Sequence, residues 1–125
     1  NISIICGPMI NHRSKPELSG FVMDSPTQLA KAGIPISICT DHPETPIQYL
    51  PLTAALAVRG GLSSEEALRG ITITAAEILG VSDRIGSVEP GKDADFTLYA
   101  DEPVSMMTQP LLTAVRGKVA VNKII

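Results

Sequence analysis

The chain has 125 residues, a net charge of -3, 44% hydrophobic residues and 3% aromatic residues, with no Trp. That is long enough for one domain with a core and too apolar for disorder. With neither a basic footprint nor aromatic platforms it does not fit a nucleic-acid binder, and no apolar run reaches the roughly 20 residues that span a bilayer.

The chain opens inside an apolar run, residues 2–6, with no Met and no polar lead-in, and is therefore expected to be a piece of a longer protein. This run reads as a first strand, stopped by Gly7-Pro8. Residues 11–19 are polar and read as a long functional loop that carries His12, Arg13 and Lys15. Ser25-Pro26 looks like an N-cap followed by Pro at the first helical position, predicting a helix over 26–31 that Gly33 ends. An Ile-rich strand over 34–40 follows, so strand, loop, helix and strand make one βαβ unit with parallel, adjacent strands. Cys6 and Cys39 both lie in these apolar runs and read as buried, reduced thiols, which places the chain in a reducing compartment such as the cytoplasm.

Beyond the strand, Thr45-Pro46 is read as a second cap. The continuous helix starts near Leu50, because Pro51 is tolerated only in a first turn, and it stops at Gly60-Gly61. Its apolar face is expected from Ile47, Leu50, Leu52, Ala55, Leu56 and Val58. Ser63-Ser64-Glu65-Glu66 is a capping box, and Thr74-Ala75-Ala76-Glu77 is read as another, closed by Gly80. From about residue 83 the pattern turns β-rich. A strand is expected at 85–88, a type II turn at 89–92, a strand at 95–99, and a hairpin of 111–115 with 118–121 around Arg116-Gly117.

The chemistry concentrates at the end of the second strand, where Thr40-Asp41-His42-Pro43 breaks an apolar run. In parallel α/β folds ligands and catalytic groups gather at that end of a strand. Asp41 is the principal candidate; the alternative is that it only caps the next segment or forms a turn with Thr45. His42 and His12 are weaker, substrate-side candidates. Asp93 and Asp95 are expected to fix a turn.

The order Thr-Asp-His-Pro, Ala-Leu-Ala-Val-Arg-Gly-Gly-Leu-Ser, Ile-Thr-Ile-Thr-Ala-Ala-Glu-Ile-Leu-Gly and Gly-Ser-Val-Glu-Pro-Gly-Lys-Asp-Ala-Asp-Phe resembles the C-terminal part of the amidohydrolase superfamily, in particular its imidazolonepropionase-like members. The resemblance implies an α/β fold. Residues 1–82 would be the last βαβ unit plus helices of a (β/α)8 TIM barrel, with strands seven and eight. Residues 83–125 would be part of a composite β-sandwich. It implies hydrolysis of C–N bonds in a small-molecule amide or cyclic amide, by water activated on a divalent metal of zinc or iron type. Asp41 would be both metal ligand and base. The family's other ligands, a His-x-His pair and later histidines or a lysine, lie on strands that this chain lacks. The chain alone is therefore expected to bind no metal, to be inactive and to self-associate through unpaired edges, with no nucleic-acid or membrane partner. The rival reading is a non-catalytic fragment, or an α/β binding or assembly module using Asp41 and His42.

Overall fold

A computed structural model describes residues 2–10 and 15–124. Two short strands, β1 (Ile4–Cys6) and β2 (Ile36–Ile38), pair in parallel with Ile4 opposite Ile36 and Cys6 opposite Ile38. Helix α1 (Ser25–Lys31) connects them, as the βαβ pattern predicts. Three helices follow back to back: α2 (Leu50–Arg59), α3 (Ser64–Gly70) and α4 (Ile73–Ile78). An antiparallel sheet of β3 (Phe96–Tyr99), β4 (Pro110–Val115) and β5 (Lys118–Asn122), with β4 in the middle, ends the chain.

The core is built on β2. Ile36, Ser37 and Ile38 are all buried, and Ile36 and Ile38 join Met9, Ala54, Ala57, Leu62, Ala67 and Val104 in one cluster. Burying an Ile side chain is worth about 1.5–3 kcal/mol. The helices reach the strand with small residues. In α2 the fully covered positions are Thr53, Ala54, Ala55 and Ala57, not the large aliphatics that the pattern put forward. Leu50, Leu52, Leu56 and Val58 are only half-buried, and Ile47 is exposed. Small side chains let helix and strand backbones approach closely. Gly70 continues this in α3, where even an added Cβ would stand 3.5 Å from the Ile36 carbonyl oxygen.

Some expected caps are corrected. Helix α1 begins one residue early, with Asp24 at the N-cap; Ser25 spends its hydroxyl on the Val22 carbonyl at 2.9 Å. Thr45 caps no helix: a 3-10 turn at Ile47–Tyr49 precedes α2, and Pro46 is its N-cap. The Ser63–Glu66 capping box forms as read. Helix α4 starts at Ile73 after Thr72, so Thr74 is inside it, and the Thr72 hydroxyl donates to the Leu68 carbonyl at 2.6 Å.

The strand expected at 85–88 does not form. Instead the segment folds on itself and against α4. Asp93 donates its amide to the Arg84 carbonyl at 2.8 Å, the Arg84 guanidinium meets the Asp93 carboxylate at 2.7 Å, and Lys92 donates to the Ser87 hydroxyl at 2.6 Å. Asp95 accepts the Arg116 amide at 2.7 Å, while Gly117 donates to the Ala94 carbonyl at 2.9 Å. Both aspartates thus hold turns, as expected. The hairpin turns at Arg116-Gly117, both with positive φ, which suits the twist of the flanking strands.

Gly86 is where this segment meets α4. Its φ is +95°, and a Cβ there would lie 2.7 Å from the Ala76 Cβ and 3.0 Å from the Ile73 Cα. Gly91 has a similar φ, +92°, but open space around it. Gly91→Ala should cost only the left-handed penalty, about 1–2 kcal/mol. Gly86→Ala should cost clearly more, because a helix must move as well. Denaturant midpoints of the two variants check this, and equal losses would mean that the contact with α4 is dispensable.

Candidate active site

Asp41 stands at the C-terminal end of the β2 segment, on the far side of Cys39 and Thr40. The ladder between the strands is fixed at both ends: the Ile4 amide donates to the Pro35 carbonyl at 3.0 Å, and the Cys39 amide to the Cys6 carbonyl at 2.8 Å. Parallel strands send alternate residues to each neighbour. Positions 35, 37 and 39 therefore address β1, while 36, 38 and 40 address the opposite edge, where no strand pairs among the described residues.

At Asp41 the chain leaves the strand abruptly. Its φ is +52°, a left-handed conformation that Asp tolerates better than most residues. The Glu44 amide donates to the Asp41 carbonyl at 2.8 Å, and the Thr45 amide donates to the Thr40 carbonyl at 3.2 Å. The chain turns here, but the bonds that close the turn pair Asp41 with Glu44 and Thr40 with Thr45 rather than Asp41 with Thr45, and backbone groups make them. The Asp41 side chain is exposed.

A cavity of about 410 Å³ opens beside this turn. Asp41, His42 and Thr40 supply its polar rim, and Ile5, Ile47, Ile78 and Leu79 are among its apolar walls. The structure therefore brings Asp41 and His42 to one rim. His12 and Arg13 lie outside the described residues, and Lys15 is exposed. Sequence reasoning missed the wall from α4. Ile78 and Leu79 were visible only as helix apolar positions, and nothing local in the sequence says that α4 lies beside β2.

The family model of the amidohydrolase family matches residues 9–124. The chain belongs to the amidohydrolase family. Among curated members it is 38% identical to an imidazolonepropionase of Cupriavidus necator over 98 residues, 70% of this chain and 23% of that protein. Among solved structures, an amidohydrolase from Thermotoga maritima superposes with a TM-score of 0.90 at 36% identity, covering 97% of this chain and 32% of that one. An adenosine deaminase from Xanthomonas campestris with bound zinc superposes with a TM-score of 0.59 at 26% identity, covering 84% of this chain and 29% of that one. The chain thus spans about a quarter to a third of the length of these amidohydrolases.

Amidohydrolases as a family use divalent metals, which makes the donor set here a direct test. No three His, Cys, Asp or Glu side chains come together among the described residues. A catalytic zinc takes about three protein ligands, so these residues do not complete a centre. The Asp41 carboxylate, exposed and at a strand end, has the chemistry of one oxygen ligand.

The two thiols are free and half-buried rather than buried. The Cys6 thiol is pushed above its ordinary pKa, first by burial and second by the neighbouring Cys39. A raised pKa keeps Cys6 protonated, hence unreactive, to higher pH than an exposed thiol. Alkylation of Cys6 under native conditions should therefore show its inflection at higher pH than a model peptide thiol. An inflection at or below the peptide's would show that burial does not govern this thiol.

Proposed function

We propose that these residues are the C-terminal part of a metal-dependent amidohydrolase that cleaves C–N bonds of small amides or cyclic amides, and that Asp41 is the base this part contributes. In this reading β1 and β2 are the seventh and eighth strands of a (β/α)8 barrel and residues 83–125 belong to a composite β-sandwich. The observation that carries it is the place of Asp41. In a chain of this family, a free carboxylate sits at the C-terminal end of a parallel strand, on the rim of a largely apolar cavity. The open edge at positions 36 and 38 supports a sheet continued by further strands.

The chemistry asked of Asp41 is proton transfer. A divalent ion, when bound, would lower the pKa of water and polarise the amide carbonyl. Asp41 takes the proton that water loses as its oxygen bonds to the carbonyl carbon, and returns it to the nitrogen as the C–N bond breaks. His42, on the same rim, meets the substrate. The apolar walls exclude competing water and suit a compact, uncharged body on the substrate. A zinc or iron type ion fits the family, with its remaining ligands outside the described residues, so this chain alone is expected to be inactive and to hold no such ion. Half-buried free thiols support a reducing compartment such as the cytoplasm.

Asp41→Asn should lower kcat/KM roughly 10²–10⁴-fold in the active protein that contains this chain, the usual worth of a general base. The amide keeps the shape of the carboxylate but cannot accept the proton. His42→Ala should cost less and act mainly on KM. Turnover by Asp41→Asn within tenfold of the parent, with metal retained, would remove Asp41 from the role.

The chain by itself is proposed to self-associate. Ile2, Ile5, Phe96, Leu98, Val119 and Val121 are all exposed, and they lie on or beside sheet edges that other chains can pair with or cover. Sedimentation across a concentration series should show concentration-dependent mass. A monomer at all concentrations with a cooperative melt would mean that these faces need no cover.

A further inference from the structure

We infer that Thr45 is a positioning residue for Asp41, acting through the backbone. The inference rests on the reading of Asp41 as the base and deepens it. Among the described residues the Asp41 side chain has no hydrogen-bond partner to fix its aim, and both bonds that shape its turn are made by main-chain groups. The direction in which the Asp41 Cα–Cβ bond leaves the chain is set by its backbone, with φ at +52°, and by whatever holds that φ. Two bonds do so. The inner one closes Asp41 to Glu44, and the outer one runs from the Thr45 amide to the Thr40 carbonyl. The Thr40 carbonyl belongs to the open edge of β2, where a strand would otherwise continue its ladder. By taking that carbonyl, Thr45 ends the strand and forces the chain to reverse within the residues between.

Thr45 is suited to this by burial. It is 3% exposed and Thr40 is 2% exposed, while all four residues between them are exposed. The turn is thus a solvent-facing loop pinned at its base by two buried threonines. Only the base can resist thermal motion of the loop, because the loop residues themselves have few neighbours. A branched side chain at position 45 has little rotamer freedom, which makes it a stiff anchor. A small displacement of a catalytic group is expensive: about 1 Å of misplacement costs about 10²-fold in rate. Sequence reading assigned Thr45 to helix capping, and this role replaces it.

The test compares Thr45→Gly, which keeps the amide but removes the anchor, with Thr45→Val, which keeps the amide and the branched shape. Two readouts are taken. Amide hydrogen exchange at Glu44 and Thr45 is followed in the chain without metal, and kcat and KM are followed in the same active protein used for Asp41→Asn. Thr45→Gly should speed exchange at both amides and lower kcat about 10²-fold with KM nearly unchanged. Thr45→Val should restore both. If Thr45→Gly does not fold, Thr45→Ala, which retains a Cβ, should show the same two effects at smaller size. Unchanged exchange, or unchanged kcat with faster exchange, would overturn the inference. A loss in Thr45→Val as large as in Thr45→Gly would also overturn it, because the hydroxyl and not the anchor would then matter. Retained turnover in Asp41→Asn would sink the reading of Asp41 and the catalytic half of this inference with it. The exchange rates would still decide whether the pinned turn exists.

Discussion

Everything in this chain leans on the burial of three residues, Ile36, Ser37 and Ile38. A strand this short has too few ladder bonds to hold itself. It is held by β1 along one edge and by α1, α2, α3 and α4, which all pack against it. Helices can crowd a single short strand only if their contact surfaces are thin. Ala54, Ala57, Ala67 and Gly70 make them thin. The chain's scarcity of aromatic residues, 3%, belongs to the same solution, since a large ring between helix and strand would push them apart.

The same arrangement suits the end of β2 to the role proposed for Asp41. The strand's position is over-determined by five neighbouring elements, so its C-terminal end is a rigid platform. A loop on a rigid platform can carry a polar group in an unfavourable backbone conformation without unfolding what lies beneath. Asp41 at φ +52° is such a group. It lies one residue past Thr40, the last buried position of this run.

Much of this was legible in the residues. The parallel pairing followed from an apolar run, a helix with Pro in its first turn and a Gly stop, and a second apolar run. The Arg116-Gly117 hairpin and the Ser63–Glu66 capping box are local, because turn and cap chemistry lie within a few residues of each other. What was not legible is tertiary. The large aliphatics of α2 carry the strongest periodic signal, yet the face used is the alanine face, because the contact partner is a strand that leaves no room. Thr45-Pro46 and Thr74 look like caps, but each threonine is taken over by something that its neighbours do not encode. Thr45 is drawn to a carbonyl on the open edge of β2. Thr74 is overtaken because Thr72, bonded back to Leu68, starts the helix earlier. Residues 85–88 read as a strand because Ile85 and Val88 flank Gly86 and Ser87, whereas the contact of Gly86 with α4 and the bonds of Arg84 and Ser87 to Asp93 and Lys92 give the segment another fold.

The site was half legible for a related reason. A carboxylate and an imidazole breaking an apolar run announce themselves, whereas the turn that aims them is written in main-chain groups, which every residue shares. The same holds at the other end of the chain, where Asp95 reaches the Arg116 amide from 21 positions away and ties β3 to the hairpin turn. In both places one partner is a backbone group exposed by a break in regular structure; the Asp95 carboxylate takes it at one end and the Thr45 amide at the other. Strand ends are where such groups accumulate, because the ladder stops there while the carbonyls and amides do not. A fold that ends its strands abruptly therefore creates a need for clasps at the very positions where catalytic groups are placed. In the proposed reading Thr45 meets that need beside Asp41, so the conformation of the candidate site and the end of its extended run share one hydrogen bond, from the Thr45 amide to the Thr40 carbonyl.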